Sequence, residues 1–171
     1  MLFRSVFDPG VYSIGDTVCS KGQKIRFEGI PTFAPEHFAA FERKDTMKRK
    51  QFESGIRQLA QEGAIQIFHE PNTGLEEVIV GVVGELQFDV LEYRLMNEYS
   101  TAVRRRGLPY EYVRWIADRT IDPTTLHLTR DTKWVQDFKG NNLLLFTAQW
   151  SINWALEHNE GLELREFDDT P

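Results

Sequence analysis

Between His37 and Ile116 the apolar residues switch back and forth between a spacing of two and a spacing of about 3.6, and that order constrains the fold more than any other feature of the 171-residue chain. Residues 37–43 (HFAAFER) read as a strand. Phe52, Ile56, Leu59 and Ala60 then recur at i, i+4, i+7 and i+8, which predicts a helix from about Thr46 to Glu62. Asp45 or Thr46 caps it and Gly63 stops it. Residues 64–68 alternate as a strand, Pro71-Asn72-Thr73-Gly74 turns, and Glu77 to Val83 runs back as an apolar strand. Gly84 opens a second helix to about Tyr99, and Arg104 to Ile116 returns to strand spacing.

Strand, helix, two hairpin strands, helix, strand is the split βαβ order of an α+β, ferredoxin-like sandwich. Four antiparallel strands carry both helices on one face and leave the other face open for covering or for binding. The second helix has two apolar stripes. Phe88, Leu91, Leu95 and Tyr99 form one, and Leu86, Val90 and Tyr93 lie on nearly the opposite side, so this helix needs cover twice.

The flanks are weaker. Residues 6–30 hold short β-type runs (Val11–Ile14, Thr17–Ser20, Lys24–Phe27) separated by turn residues, with nothing following to close them into a sheet. Such a fragment cannot satisfy its own edges, so something belonging to it is expected upstream. After Ala117 a short helix over Asp131–Phe138, a strand over Leu143–Phe146, a helix near Gln149–His158 and a strand near Leu162–Phe167 form a small βαβ-type extension. Trp150 and Trp154, one turn apart, make an aromatic ridge expected to pack on the sandwich, over the second stripe of the Gly84 helix. The expected organisation is a strand-bearing tail 1–28, ferredoxin-like domain 29–117 and extension 118–171.

A hydrophobic share of 41 %, with twelve Phe, four Trp and five Tyr, supports a solid core. No run approaches the ~20 apolar residues of a membrane helix, and the single cysteine, Cys19, forms no internal disulfide; a cytoplasmic chain is expected. His37, His69, His127 and His158 are dispersed without metal-ligand spacing. Gly81-Val-Val-Gly84 sits between strand and helix but lacks the third glycine and the Lys-Ser/Thr of a phosphate loop, so it reads as a tight turn. No catalytic residue, cofactor site or metal site is predicted, and the chain reads as a binding module rather than an enzyme. A small-ligand regulatory domain and an acyl-phosphate hydrolase on the same fold are the rival classes. The first needs an apolar pocket with convergent polar groups and the second an arginine-bearing phosphate loop.

A net charge of −6 argues against indiscriminate nucleic-acid coating, but it hides an asymmetry. Residues 43–50 hold five basic side chains against one acid, whereas residues 157–171 hold six acids against Arg165 alone. Lys48, Arg49 and Lys50 occupy a first helical turn, where the macrodipole is positive and each cation costs about 0.3–1 kcal/mol at low salt. A placement that opposes the fold's own electrostatics marks Lys44, Lys48, Arg49, Lys50 and Arg57 as candidate phosphate contacts, with Arg104, Arg105 and Arg106 as a second basic knot. The bland alternative is a solvated face that keeps an acidic protein soluble.

Several ordered motifs carry a family resemblance. Gly10-Val-Tyr-Ser-Ile-Gly-Asp-Thr resembles a closing segment of the β-barrel second domain of translational GTPases, which implies that the tail 1–28 is the end of such a barrel. Phe27-Glu-Gly-Ile-Pro-Thr-Phe-Ala-Pro-Glu-His-Phe, Lys44-Asp-Thr-Met-Lys-Arg-Lys-Gln, Gln58-Leu-Ala-Gln-Glu-Gly-Ala-Ile-Gln and Ile79-Val-Gly-Val-Val-Gly-Glu-Leu-Gln-Phe-Asp-Val-Leu are similar to the C-terminal region of the bacterial class II release factors, the peptide chain release factor three family. The likeness is strong over residues 6–116, plausible over 148–164 and poor over 117–140. It implies a monomeric module that contacts the ribosome, through rRNA and ribosomal proteins, and its own GTPase and barrel domains, and that serves class I release factor recycling indirectly. GTP or GDP with Mg is then expected only in the missing N-terminal domain. The third domain of elongation factor G is a similar unit, but the Phe-Ala-Pro-Glu and Gly-Glu-Leu-Gln-Phe-Asp surroundings favour the release factor.

Overall fold

The computed structural model describes residues 17–23, 25, 34–63, 65–71 and 76–166. Most of the expected barrel tail lies outside them. Of its described part, Thr17–Ser20 runs irregularly rather than as a strand, and Lys21-Gly22 turns as expected, with the Gln23 N–H donating to the Ser20 carbonyl at 3.1 Å.

From His37 the predicted order appears: β1 (His37–Arg43), α1 (Arg49–Gln61), β2 (Gln66–Phe68), β3 (Glu77–Val82), α2 (Leu86–Tyr99) and β4 (Val103–Leu108). The strands form one antiparallel sheet in the order β2-β3-β1-β4. Strand alternation sends Ala39, Phe41, Val78 and Val80 to one face, where Phe52, Ile56 and Leu59 of α1 and Phe88, Leu91 and Leu95 of α2 cover them. The two helices approach closely because position 55 is glycine. A Cβ there would lie 2.8 Å from the Tyr99 ring and 3.0 Å from Leu95.

The other sheet face is not left open. A second antiparallel sheet, order β6-β7-β5-β8, is built from β5 (Tyr112–Ile116), β6 (Lys133–Gln136), β7 (Asn142–Phe146) and β8 (Leu164–Arg165). Phe38, Phe68 and Ile79 of the first sheet pack against Val113, Val135, Leu143 and Leu145 of the second. The alternate residues, Ile116, Leu144 and Phe146, face Ile152 and Ala155 of α3 (Gln149–His158). The result is four layers: helix pair, sheet, sheet, helix. One bridge joins the sheet edges, His69 and Gln136 exchanging N–H···O bonds of 2.9 and 2.8 Å, with a Lys133–Glu70 ion pair beside it.

Three expectations need correction. The strand read through Arg104–Ile116 is two strands, because Pro109 has no N–H to continue a ladder. Tyr112–Ile116 therefore pairs with β7 and β8 in the second sheet rather than with the first. The short helix expected over Asp131–Phe138 is strand β6, since a four-residue run sets no helical period and its ladder with β7 decides the conformation. The aromatic ridge does not cover α2. The narrow arc of Ile152 and Ala155 turns α3 onto β7 instead, leaving Trp150 58 % exposed and Trp154 stacked on His158 with ring centroids 4.0 Å apart. The extension keeps its βαβ character. β7 and β8 both run antiparallel to β5 and so parallel to each other, with α3 between them in sequence.

Candidate nucleic-acid interface

The corner where β1 ends and α1 begins gathers the basic segment. The Lys44 N–H donates to the Ala102 carbonyl at 2.9 Å, tying this corner to the start of β4. Asp45 Oδ1 accepts the Met47 N–H at 2.8 Å and starts a 3-10 turn, Thr46–Lys48, that runs into α1. Because Phe52, Ile56 and Leu59 turn inward, Lys50 and Arg57 are exposed on the outer side of the helix. No acid occupies the first turn of α1.

The candidate cations separate by what they touch. Lys44, Lys48 and Lys50 form no ion pair among the described residues, and Met47 between them is 88 % exposed. Arg49 is held by Glu53 at 2.8 Å, one turn along the helix. The three arginines of β4 alternate. Arg105 points to the helix side, 2.9 Å from Asp89 and 3.0 Å from Glu92, with its guanidinium 5.6 Å from the Phe88 ring centre. Arg104 and Arg106 lie on the other side, 3.7 Å from Glu42 and 3.1 Å from Glu77. What looks like one knot in sequence is thus split across an edge strand, each guanidinium balanced by a carboxylate. A charged edge also resists pairing with a stray strand.

Arg57 stands apart. Its guanidinium lies 4.7 Å over the Phe138 ring, and that ring stacks on His69 at 6.2 Å and 24°. The stack links α1, the loop after β6 and the end of β2. Burial pulls the His69 pKa below its ordinary value; Arg57 adds to the effect and Asp137 opposes it. Neither Phe138 nor His69 was marked by the sequence, because only the long-range β2–β6 bridge brings them together.

The strand-to-helix turn Gly81–Gly84 holds its own ligand. Gln87 Oε1 accepts the N–H groups of Val83 and Gly84 at 3.0 and 3.1 Å, so a phosphate finds these donors taken. A concavity of about 920 Å³ is an open trough lined by Glu36, Glu85, Asp89 and Glu111 with Arg105 and His37. No group of three His, Cys, Asp or Glu side chains among the described residues is placed to hold a metal ion. No described helix is long and apolar enough to cross a membrane.

Fold and site together define an α+β module of ferredoxin-like type, backed by a second sheet and carrying unneutralised lysines at one corner. Within that class the family is specific. Residues 27–156 match the family described as class II release factor RF3, C-terminal domain, and the chain belongs to it. It is 45 % identical over 160 residues to a peptide chain release factor 3 of Symbiobacterium thermophilum, 37 % identical over 163 to one of Gloeobacter violaceus, and 38 % identical over 159 to one of Listeria welshimeri. These alignments cover 94, 95 and 93 % of the chain, which spans about 30 % of the length of each relative.

Proposed function

We propose that this chain supplies ribosome contacts to a termination factor that promotes recycling of class I release factors, with Lys44, Lys48 and Lys50 touching rRNA phosphates. The reading is carried by one contrast. Arg49 and the β4 arginines are each paired with a carboxylate, while Lys48 and Lys50, at a helix end that disfavours cations, and Lys44 just before it have no ion-pair partner among the described residues. Phosphate contacts of this kind position a protein without reading sequence. Arg57, Arg104 and Arg106 are secondary contacts in this scheme, since each is exposed but already engaged. Guanine nucleotide with Mg belongs to the portion of the protein outside this chain's span, and the module acts as a monomer in the cytoplasm beside its own GTPase and barrel domains.

Co-sedimentation with 70S ribosomes at two salt concentrations tests the proposal. The chain should pellet with ribosomes at low salt and be released at high salt. The Lys48→Glu/Lys50→Glu variant should stay in the supernatant at low salt with its circular dichroism unchanged. Equal pelleting of variant and parent removes the assignment.

A further inference from the structure

The outer face of α2 carries a surface of opposite character to the lysine corner. Leu86, Val90 and Tyr93, at i, i+4 and i+7, are 78, 57 and 69 % exposed, directly across the helix from buried Phe88, Leu91 and Leu95. Met96 and Val83 extend the exposed apolar strip. A helix apolar on both sides is normally covered on both, and contiguous apolar patches on a folded surface mark interaction sites. Helix α3, which carries the aromatic ridge, packs on β7, beyond both sheets from α2, and does not cover the strip. Beside Val90 the strip is indented by a notch of about 90 Å³, lined by Leu59, Ile65, Leu91 and the stems of Gln87 and Arg94, which suits one aliphatic side chain.

The rim decides the partner. Glu85, Asp89 and Glu92 flank one side; Glu62 and Glu98, both holding Arg94, flank the other. Arg94 hydrogen-bonds to Glu62 and Glu98 and keeps both carboxyls below their ordinary pKa, so they are ionised at neutral pH. Five carboxylates therefore stand against two guanidiniums, Arg94 and Arg105. Phosphates are repelled by such a rim, and a second copy of the chain docking through the same face would bring acid against acid. The acidic residues 157–166 are excluded on the same ground.

We propose that the outer face of α2 docks a basic segment of another protein, one that presents two or three apolar side chains flanked by Lys or Arg. The apolar strip runs about 10 Å along the helix, two turns, which matches a helix-in-groove contact of i, i+4, i+7 anchors with one anchor seated in the Val90 notch. The face works by charge of the opposite sign to the lysine corner, so each stands or falls without the other.

The test is an amide chemical-shift titration of the isotope-labelled 171-residue chain. The probe is a synthetic Leu/Lys amphipathic peptide of about four helical turns. The comparators are a Leu/Glu peptide of the same spacing, a Gln/Lys peptide of the same charge, and an oligouridylate. The Leu/Lys peptide should shift signals in residues 86–97, saturably, with affinity falling as salt rises. The Val90→Gln/Tyr93→Gln variant should bind at least about tenfold more weakly while melting at the parental temperature. Shifts centred on Trp150 and Trp154, equal effects of the Leu/Glu or Gln/Lys peptide, or oligouridylate shifts in α2 overturn the proposal. So does concentration-dependent dimerisation through α2. If the full-length protein fails to bind a peptide that this chain binds, its own remaining domains occupy the face, and the assignment to a separate protein is wrong.

Discussion

Replacing Gly55 by alanine separates a tightly packed helix pair from a glycine that merely sits in a helix. In an exposed helix interior the change stabilises by about 1 kcal/mol, because glycine has the larger backbone entropy to lose. Here the added methyl meets Tyr99 Cγ at 2.8 Å and both Leu95 Cδ2 and Tyr99 Cδ2 at 3.0 Å. Leu95 is fully buried and has no room to retreat; Tyr99, half-buried at the end of α2, yields in part. Overpacking of this kind costs about 1–3 kcal/mol, so after the propensity gain the net expectation is destabilisation of up to about 2 kcal/mol. For a chain of this size that lowers the melting temperature by up to roughly 8 °C. The assay is thermal and urea unfolding of Gly55→Ala, Tyr99→Ala and the double variant. In the Tyr99→Ala background the alanine should become neutral or stabilising, a coupling of about 1–2 kcal/mol. A Gly55→Ala protein more stable than the parent by about 1 kcal/mol would refute the close approach of α1 and α2, and with it the orientation of the lysine corner.

Two further outcomes follow from the core and the loops. Because the folded His69 has a lowered pKa, the unfolded chain takes up a proton first as pH falls below about 6.5; stability present above that pH is then lost on acidification. Urea midpoints at neutral and mildly acid pH should drop less for His69→Gln than for the parent, and identical drops would contradict the half-buried setting of His69. Asn159 accepts the His127 N–H at 2.7 Å and donates to the carbonyls of His127 at 2.8 Å and Ala155 at 2.7 Å. Asn159→Ala should therefore cost about 1–3 kcal/mol and speed hydrogen exchange at the His127 amide, whereas unchanged exchange would show that the loop is held elsewhere.

The ferredoxin-like half was legible because its periodicities are long and its punctuation is strong. Asp45 does cap the chain's entry into the first helix, though it caps the 3-10 turn Thr46–Lys48 that runs into α1 rather than α1 itself, and Phe52, Ile56 and Leu59 are buried as their spacing requires. The second half was legible only in pieces. Strand β7 and helix α3 carry enough apolar residues to declare a period, but Lys133–Gln136 is a strand only because β7 lies beside it. The two stripes of α2 were readable, yet the sequence could not say which neighbour covers the outer one, since aromatic bulk at Trp150 and Trp154 outweighed the narrower Ile152–Ala155 arc that sets how α3 sits. The basic residues were readable as positions but not as free or paired charges. Glu42, Glu53, Glu77, Asp89 and Glu92 neutralise four of the arginines, and of these partners only Glu53 has helical spacing that sequence displays.

That the unpaired lysines meet phosphate is tested most directly by the salt dependence of ribosome binding. Each phosphate contact contributes roughly 0.7–0.9 to the slope of log K against log salt concentration, so three lysines contribute about 2–3. The Lys44→Ala/Lys48→Ala/Lys50→Ala protein should show a slope shallower by about that amount, while Arg105→Ala, whose guanidinium faces Asp89 and Glu92, leaves the slope unchanged. An unchanged slope in the triple variant, or an equal loss in Arg105→Ala, contradicts the account.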